Sequence, residues 1–477
     1  MNIYFKHTNT SSCKLMYITF IISVLMTLES CTDFLTLDPP PSKIGIDDVF
    51  ESNVTATSAI LGIYSYLLDG RTFASGDATS MSSLAGLSGD ELTNYARYDK
   101  YSLELESNTI RPDNLHILSL WSSMYKVIYS SNLYKERLEA SVKIDNDVKS
   151  QLLGEVLFIR AFCNFYLVNL FGDVPLVLTS DYSSNARASR TDSDRVYDQI
   201  MSDLIAAREL LSDDYVARSA ERIRPNRSAA TALLARVYLF RNDWANAEAM
   251  ATEVIDKTDF YELVDDLDAV FLKNSREAIW QLMPSTVDGT GATEEGEIFW
   301  PNNALNYNIL RESSVDMFSP NDLRLTYWVT NLVLDPDTLY FPAKYKQWDS
   351  SAPLTEYSMV LRLAELYLIR AEARAKQDEL VGENSASEDL NRIRKRAGLQ
   401  DSDAVDANGI LEAIARERRA ELFTEWGHRW FDLKRTGHVV DALSGLKPGI
   451  STNDALYPIP ESEFSKNSNL GLQNDGY

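Results

Sequence analysis

Residues 357–437 decide the fold, through the words RLAELYLIRAEARAK (362–376), LNRIRKRAGL (390–399) and ARERRAELFTEWGHRWFDLKRTG (415–437). At 100° per residue, the first word and the residues just before it predict a helix that is apolar on two sides. One side carries Met359, Leu363, Leu366 and Ala373, and the other carries Val360, Ala364, Tyr367, Leu368 and Ala371. Such a helix must pack between neighbours, and its small alanines let them approach closely, as in stacked tetratricopeptide-type hairpins.

The third word and the residues just before it predict one helix from about residue 411 to residue 426. Charged side chains interrupt the apolar stripe of this helix. Buried charges need partners. The spacing allows Arg418 to meet Glu421 at i+3, whereas Glu425 needs a partner elsewhere, such as Arg362 or Arg370 of the first helix. We therefore predict a structural ion network of Arg362, Arg370, Arg418, Glu421 and Glu425, without a catalytic role.

The composition favours one large body and excludes nucleic acid as an expected partner. The chain has 477 residues, enough for two or three average domains, yet no long Gly/Ser-rich or Pro-rich linker divides it. It carries 46 basic and 70 acidic side chains, which give a formal net charge of −24. The sequence contains no basic tract of the kind that binds nucleic acid. An acidic net charge suits a soluble surface.

The N-terminus predicts a signal peptide, a lipid anchor and a tether. Basic Lys6 and Lys14 precede an apolar run at 15–28 that is too short and too close to the N-terminus for a spanning helix. The following Leu28-Glu29-Ser30-Cys31 resembles a lipobox, although Glu29 is untypical, so cleavage after residue 30 and acylation of Cys31 are expected. The alternative is an ordinary cleaved secretory signal. Residues 31–45, with three consecutive prolines, predict an extended tether.

The clearest internal repeat lies at residues 228–256. Ala235, Tyr238 and Ala247 occupy the small-aromatic-small positions of a tetratricopeptide hairpin. Residues 357–396 read as a degenerate second copy with a longer turn. No strict period links the two copies, so the predicted fold is mainly α, an irregular tetratricopeptide-like helical superhelix with loop-rich, minor β insertions.

Two irregular regions break the helical pattern and are rich in aromatic residues. Residues 71–112 contain many Ser, Gly and Thr residues together with three tyrosines. Residues 257–356 combine short apolar runs with long polar loops, which predicts short strands at most. Residues 438–477 are also rich in loops, and LYPIP at 456–460 is expected to pack back on the body.

The search for catalytic motifs is mostly negative. The four histidines show no metal-ligand pairing at i+4, and there is no nucleophile elbow, phosphate loop or dinucleotide fingerprint. A glycoside hydrolase needs two carboxylates about 5 to 10 Å apart, a separation that sequence does not give, so this alternative stays open. No cofactor is predicted. Calcium at Asp265-Asp266-Leu267-Asp268 is a weak alternative, because these residues lack an ordered ligand spacing.

The quoted words resemble the C-terminal half of the SusD/RagB family of nutrient-uptake outer-membrane lipoproteins. The matching segments are 362–373, 391–399, 417–434, 456–460 and 473–477. GEVLFIRAFCNFYLVNLFGDVPLV at 154–177 resembles the family's N-terminal half, so the resemblance covers essentially everything after residue 31. It implies a single body at 46–477, divided into an N-terminal half (46–256), an irregular ligand region (257–356) and a C-terminal half (357–477).

The resemblance implies a non-catalytic lipoprotein that is anchored in the outer membrane and exposed at the cell surface. Such a protein captures an oligosaccharide and acts as a lid on a SusC-like TonB-dependent transporter. A RagB-like peptide-binding protein is the alternative within the same family. A glycan-cleaving hydrolase and a structural periplasmic scaffold are the alternatives outside it.

Aromatic and polar residues of the two irregular regions are the candidates for ligand binding. Sugar rings stack their C–H faces on flat aromatic surfaces, and their hydroxyls need amide, carboxylate or guanidinium partners. By region, the resemblance implies the rings of Tyr95, Tyr98, Tyr101, Trp300, Tyr307 and Trp328 and the polar groups of Asp90, Asn94, Arg97 and Asn302. For each ring taken singly, packing in the core is the competing role.

Overall fold

The computed structural model describes residues 45–95, 97–215, 221–301 and 308–477. The predicted lipidation site Cys31 lies outside the described residues, as do the ligand candidates Asn302 and Tyr307. Residues Phe50–Tyr477 form one compact unit, and the short helix that precedes them belongs to a separate unit.

Helices make up most of the regular structure, and the strands are short. The helices are α1 (Ile46–Val49), α2 (Asn53–Leu67), α3 (Met81–Ser88), α4 (Lys100–Ser107), α5 (Leu115–Ala140), α6 (Asn146–Phe171), α7 (Tyr182–Asn185), α8 (Ser193–Leu210), α9 (Arg227–Phe240), α10 (Trp244–Ile255), α11 (Glu294–Phe299), α12 (Glu312–Val315), α13 (Leu323–Tyr327), α14 (Leu363–Lys376), α15 (Ala386–Arg396), α16 (Ala407–Leu422), α17 (His428–Arg435), α18 (Val439–Leu443) and α19 (Glu461–Lys466). The strands are β1 (Leu92–Asn94), β2 (Val174–Pro175), β3 (Arg190–Thr191), β4 (Ala278–Leu282), β5 (Asn308–Leu310), β6 (Val329–Leu334), β7 (Asp337–Pro342) and β8 (Ser358–Arg362). Two 3-10 turns, Thr452–Ala455 and Ser468–Leu470, lie near the C-terminus.

The long helices form a continuous stack. Helix α5 packs on α6, α6 on α8, α8 on α9, α9 on α10, and α10 on α14, which in turn packs on α15 and α16. The repeat predicted at 228–256 is the α9–α10 hairpin. Its turn is made by Asn242 at φ 58°, and the Asp243 side chain caps α10 by accepting the Asn246 N–H. The predicted mainly α, tetratricopeptide-like fold is therefore confirmed.

Helix α6 packs between α5 and α8 in this stack. It is the one helix among the described residues that is long and apolar enough to cross a membrane, but 89% of its most apolar window is buried inside the protein. Cys163 in this helix is a fully buried free thiol, and burial raises its pKa well above the usual value. The apolar character of α6 therefore matches its place in the core.

The first helix of the quoted segment begins later than predicted. Met359 and Val360 lie in strand β8, and α14 starts at Leu363. Strand β8 pairs antiparallel with the fully buried β4, in the register Gln281↔Met359. A short apolar run suits either a buried strand or a helix, and here a partner about 80 positions away selects the strand.

The third predicted helix is interrupted. Helix α16 ends at Leu422, and Trp426 lies in the turn before α17. Thr424 and Trp426 have φ values of 54° and 48°, and Gly427 follows at 74°. Left-handed backbone is costly for residues other than glycine, so it requires tertiary support. The Trp426 ring supplies some of it, because its Nε1 donates a 2.7 Å hydrogen bond to the Met359 carbonyl.

Three small antiparallel sheets complete the body. The largest has the strand order β1-β5-β7-β6, and the two others are the pairs β2-β3 and β4-β8. The predicted short strands of 257–356 are thus present, with three short helices between them. The LYPIP segment packs back as predicted, since Tyr457 and Ile459 are buried and the Tyr457 N–H donates to the Leu170 carbonyl.

A buried ion network joins β8, α15, α16 and the turn that follows α16. Arg362 is 2% exposed and contacts Glu277 at 2.9 Å, Glu421 at 2.5 Å and Glu425 at 2.8 Å. Arg396 also bridges Glu277 and Glu421. Burial alone would raise the pKa of Glu421, but the surrounding arginines hold it below its usual range.

Two members of the predicted network lie elsewhere. Arg418 does not pair with Glu421 but with Asp432 of α17, at 2.8 Å. Arg370 does not reach Glu425 and instead pairs with Asp389 of α15, at 2.7 Å. Side chains three apart on a helix are close enough to pair, but the carboxylate of Asp432 on the next helix reaches the Arg418 guanidinium instead. Arg418 and Arg370 therefore stabilise two separate contacts, α16 with α17 and α14 with α15.

Candidate functional site

Strand pairing brings the two irregular regions together. Strand β1, from the first region, pairs antiparallel with β5, from the second, in the register Leu92↔Leu310, Thr93↔Ile309 and Asn94↔Asn308. The loop after β1 and the chain entering β5 therefore meet at the same end of the sheet. This pairing joins segments about 215 positions apart, and it places Tyr95, Arg97 and Tyr98 beside the start of β5.

A polar clamp fixes the first loop to this strand end. The Asn94 side chain donates to Asn308 Oδ1 at 3.0 Å and accepts the Arg97 N–H at 2.8 Å. Arg97 has φ 54°, a left-handed conformation that this second bond supports. Glu106 of α4 accepts from the Thr93 hydroxyl at 2.6 Å and from the Asn94 N–H at 3.1 Å. These bonds tie Asn94 and the backbone of Arg97 to the end of the sheet.

The candidate aromatic rings of the two irregular regions differ in exposure. Tyr98 is 86% exposed and Tyr95 is 37% exposed, so both present ring surface to solvent. Tyr101 is half-buried, with its ring edge-on to His116 at 5.6 Å and Lys100 4.6 Å from its centroid. Trp300, at the end of α11, is also half-buried. The described part of the site thus offers two exposed tyrosines and the exposed Arg97.

Trp328 is not part of a ligand platform. Its ring is 0% exposed and packs edge-on against Phe271 at 5.6 Å, and its Nε1 donates to the Leu267 carbonyl at 3.0 Å. Lys344 lies 4.9 Å from the ring centroid. A fully enclosed ring has no face to offer a sugar, so the prediction for Trp328 is wrong and the ring belongs to the core.

Asp90 and Asn94 are structural rather than ligand-contacting. Asp90 is 4% exposed and forms ion pairs with Arg419 at 2.9 Å and Arg429 at 2.8 Å. Burial would raise the pKa of Asp90, but these two guanidinium groups lower it. Asn94 is equally buried and is occupied by the clamp. Their polar atoms are already engaged within the protein, so neither is free for a ligand.

A separate cavity of about 660 Å³ lies between the end of α2 and the segment around α11. Its lining is mainly hydroxyls and carboxylates, and Tyr66 is its one aromatic residue among those described. Lys126 lies 3.7 Å from the Tyr66 ring centroid, so a cation already covers one ring face. The cavity therefore lacks the open aromatic surface on which a sugar would stack.

Glu295 lies at the edge of this cavity and is 5% exposed. One of its oxygens accepts the Ser358 hydroxyl at 2.6 Å, and the other has no hydrogen bond within the described structure. Its carboxyl packs against the backbone of Gly76, where an added Cβ would lie 2.4 Å away. Burial raises the pKa of Glu295 to about 7, and nearby Glu294 and Asp77 contribute to the rise.

Metal ligation finds no support in the described part of the chain. No group of three or more His, Cys, Asp or Glu residues there is placed to hold a metal ion. Within the acidic loop considered for calcium, Asp268 pairs with Lys346. His428, one of the four histidines, is buried in the core, and burial lowers its pKa to about 4.

Three residues that organise the site were not found from sequence. Glu106 and Asn308 form the clamp with Asn94, and Arg311 approaches Glu106 at 3.4 Å. No local pattern marks them, because each acts on a residue from another segment. The β1–β5 pairing brings Asn308 and Arg311 beside β1, and packing of α4 on β1 brings Glu106 there.

The comparisons with known proteins agree with the fold. A family model described as "Starch-binding associating with outer membrane" matches residues 55–239, and one described as "SusD family" matches residues 254–477. The two models together cover most of the chain. The chain belongs to the SusD/RagB family.

Similar curated proteins match over nearly the whole chain. SusD-like protein P25 of Formosa agariphila is 26% identical, with 97% of this chain and 100% of the relative aligned. SusD-like protein P2 of the same organism is 28% identical, with 96% of this chain and 99% of the relative aligned.

Solved structures share the fold. A laminarin-binding SusD-like protein has a TM-score of 0.75 and 25% identity, over 89% of this chain and 99% of its own. The surface glycan-binding protein A from Bacteroides fluxus has a TM-score of 0.72 and 22% identity over the same shares of the two chains. At 22% identity, this second likeness concerns the fold alone.

Proposed function

We propose that the protein captures an oligosaccharide and delivers it to a SusC-like TonB-dependent transporter in the outer membrane, without cleaving it. The proposal rests on the β1–β5 pairing, which places exposed Tyr95, Arg97 and Tyr98 beside the second irregular region at the edge of the sheet. Exposed aromatic rings offer flat faces on which a sugar ring stacks.

The name of one similar structure supports a glycan as the ligand class, because that SusD-like protein is called laminarin-binding. The exposed tyrosines supply stacking surfaces, and the Arg97 guanidinium supplies donors for hydroxyl oxygens. Under this proposal the long helices form a stiff frame. A ligand that contacts both this protein and the transporter favours the state in which the protein closes over the transporter as a lid.

A binding screen with product analysis tests the proposal. The protein is titrated with neutral oligosaccharides and with peptides, and each mixture is then examined for cleavage. Binding of intact sugar is expected. Peptide binding without sugar binding would instead assign the protein to the RagB-like branch, and cleaved sugar would contradict a purely binding role.

Tyr98→Ala should weaken oligosaccharide binding by about tenfold, because it removes an exposed stacking surface. The ring is 86% exposed, so the free energy of unfolding should change by less than about 0.5 kcal/mol. Calorimetric titration and thermal unfolding measure the two effects. Tyr327→Ala, at a 39% exposed tyrosine of α13, is the control and should bind normally. A large loss of stability with unchanged affinity would place Tyr98 in the core instead.

Cys31→Ala should release the protein from the membrane fraction, since the acyl chains attached there would supply the membrane affinity. Cell fractionation followed by immunoblotting measures this. Cys13→Ala is the matched control, because Cys13 lies in the segment removed with the signal peptide and should leave anchoring intact. Firm membrane association of the Cys31 variant would contradict the anchor.

A further inference from the structure

An aromatic groove runs along helix α5. It shares no residue with the candidate site on the loop that follows β1, which is called the loop site below. Trp121, Tyr125 and Tyr129 recur at i, i+4 and i+8, which places them on one helix face. Exposure rises along this face, from 3% at Trp121 to 43% at Tyr129. The rings of Trp121 and Tyr125 lie 4.8 Å apart at 47°. The helix thus presents a ladder of rings that emerges from the core.

Three other segments wall this groove. Its lining includes Pro175 of β2, Tyr182 and Asn185 of α7, and Glu463 of α19. The enclosed volume is about 390 Å³, within the usual range for small-ligand sites. Tyr182 is 79% exposed, so its ring is accessible at the rim.

The groove is preorganised by hydrogen bonds behind its surface. The Tyr125 hydroxyl donates to the Pro175 carbonyl at 2.8 Å, which ties α5 to β2. The Asn185 side-chain amide donates to the Thr179 carbonyl at 2.7 Å, and that of Asn467 donates to the Ala188 carbonyl at 2.7 Å. Fixed walls reduce the entropy lost when a ligand binds.

Polar acceptors remain available inside the groove. One Glu463 oxygen accepts from Lys466 at 2.7 Å, and within the described structure its second oxygen and the Asn185 side-chain oxygen have no hydrogen bond. The Glu463 side chain is 19% exposed, so it is partly shielded from water. A ligand with hydroxyl donors would satisfy these acceptors, whereas an acyl chain would cover them without offering a donor.

We propose that this groove is a second saccharide-binding site. A sugar ring stacks on Tyr129 or Tyr182 while its hydroxyls donate to Glu463 and Asn185. The choice of a saccharide rests in part on the function proposed above. Two sites on one chain would hold a long glycan at two points, which raises the effective affinity without new contacts at either site.

Crystals of the protein soaked with laminaritriose, cellotriose or maltotriose locate the sugar, and calorimetric titration of the same sugars measures affinity at each site. Sugar density against Tyr129 or Tyr182 is expected. Tyr129→Ala combined with Tyr182→Ala should weaken this site by about tenfold or more and leave the loop site unchanged. Tyr98→Ala should have the opposite selectivity, and Tyr182→Phe, which keeps the ring, should bind like the native protein.

The outcomes separate the two proposals. Sugar at the loop with an empty groove overturns the groove proposal and leaves the proposed function standing. Sugar in the groove alone supports the groove and contradicts the loop site. Sugar at neither position contradicts both proposals. Peptide, rather than sugar, bound in the groove overturns its assignment to saccharide.

Discussion

Arg362→Met is expected to lower the free energy of unfolding by about 3 to 5 kcal/mol. Arg362 is 2% exposed and is shared by Glu277, Glu421 and Glu425, and the side chains of Glu277 and Glu421 are fully buried. Removing the guanidinium leaves negative charge in the core, and Arg396 compensates only part of it. Chemical denaturation followed by circular dichroism measures the loss.

Arg416→Met is the matched control on the surface of α16. Arg416 and Glu412 form an exposed i,i+4 pair at 3.8 Å, with side chains 70% and 73% exposed, so the loss should be at most about 0.5 kcal/mol. A loss for Arg362→Met no larger than for Arg416→Met would show that the network contributes nothing to folding.

Glu295→Gln is expected to stabilise the protein at pH 8 by up to about 3 kcal/mol and to have little effect near pH 4.5. Burial raises the pKa of Glu295 from about 4.5 to about 7 in the folded protein. Between these values the folded state binds a proton that the unfolded chain has lost, so the native protein loses stability as pH rises from about 4.5 to about 7. Glutamine stays neutral throughout and still accepts the Ser358 hydroxyl.

Denaturation curves from pH 4.5 to pH 8 measure this difference. Glu51→Gln, at an exposed carboxylate, is the control and should follow the native curve at every pH. Glu91→Gln should behave like Glu295→Gln, because burial beside Asp90 raises the pKa of Glu91 to about 7 as well. A Glu295→Gln curve that runs parallel to the native one across this range would contradict the raised pKa.

Local pattern was sufficient where neighbours in sequence are also neighbours in space. The α9–α10 hairpin lies where the repeat predicted it, because helical periodicity and turn residues act over a few positions. Local pattern failed at helix ends. Met359 reads as helix but pairs with Gln281 in a sheet, and Trp426 reads as helix but lies in a left-handed turn. In both cases a distant partner outweighs local preference.

The candidate site shows the same division. Sequence placed aromatic residues in two irregular regions, but it did not distinguish Tyr98, which is 86% exposed, from Trp328, which is 0% exposed. Exposure depends on which segments cover a ring, and those segments lie far away in the chain. The clamp of Asn94 and Asn308 likewise joins residues 214 positions apart.

The sequence by itself determined the helical stack and the requirement that charges buried in it find partners, because periodicity and the cost of an unpaired charge are local properties. Only the tertiary structure decided the partners, giving Arg418 to Asp432 and Arg370 to Asp389. It also decided which aromatic rings face solvent. Both outcomes depend on contacts between distant segments, which helical spacing does not encode.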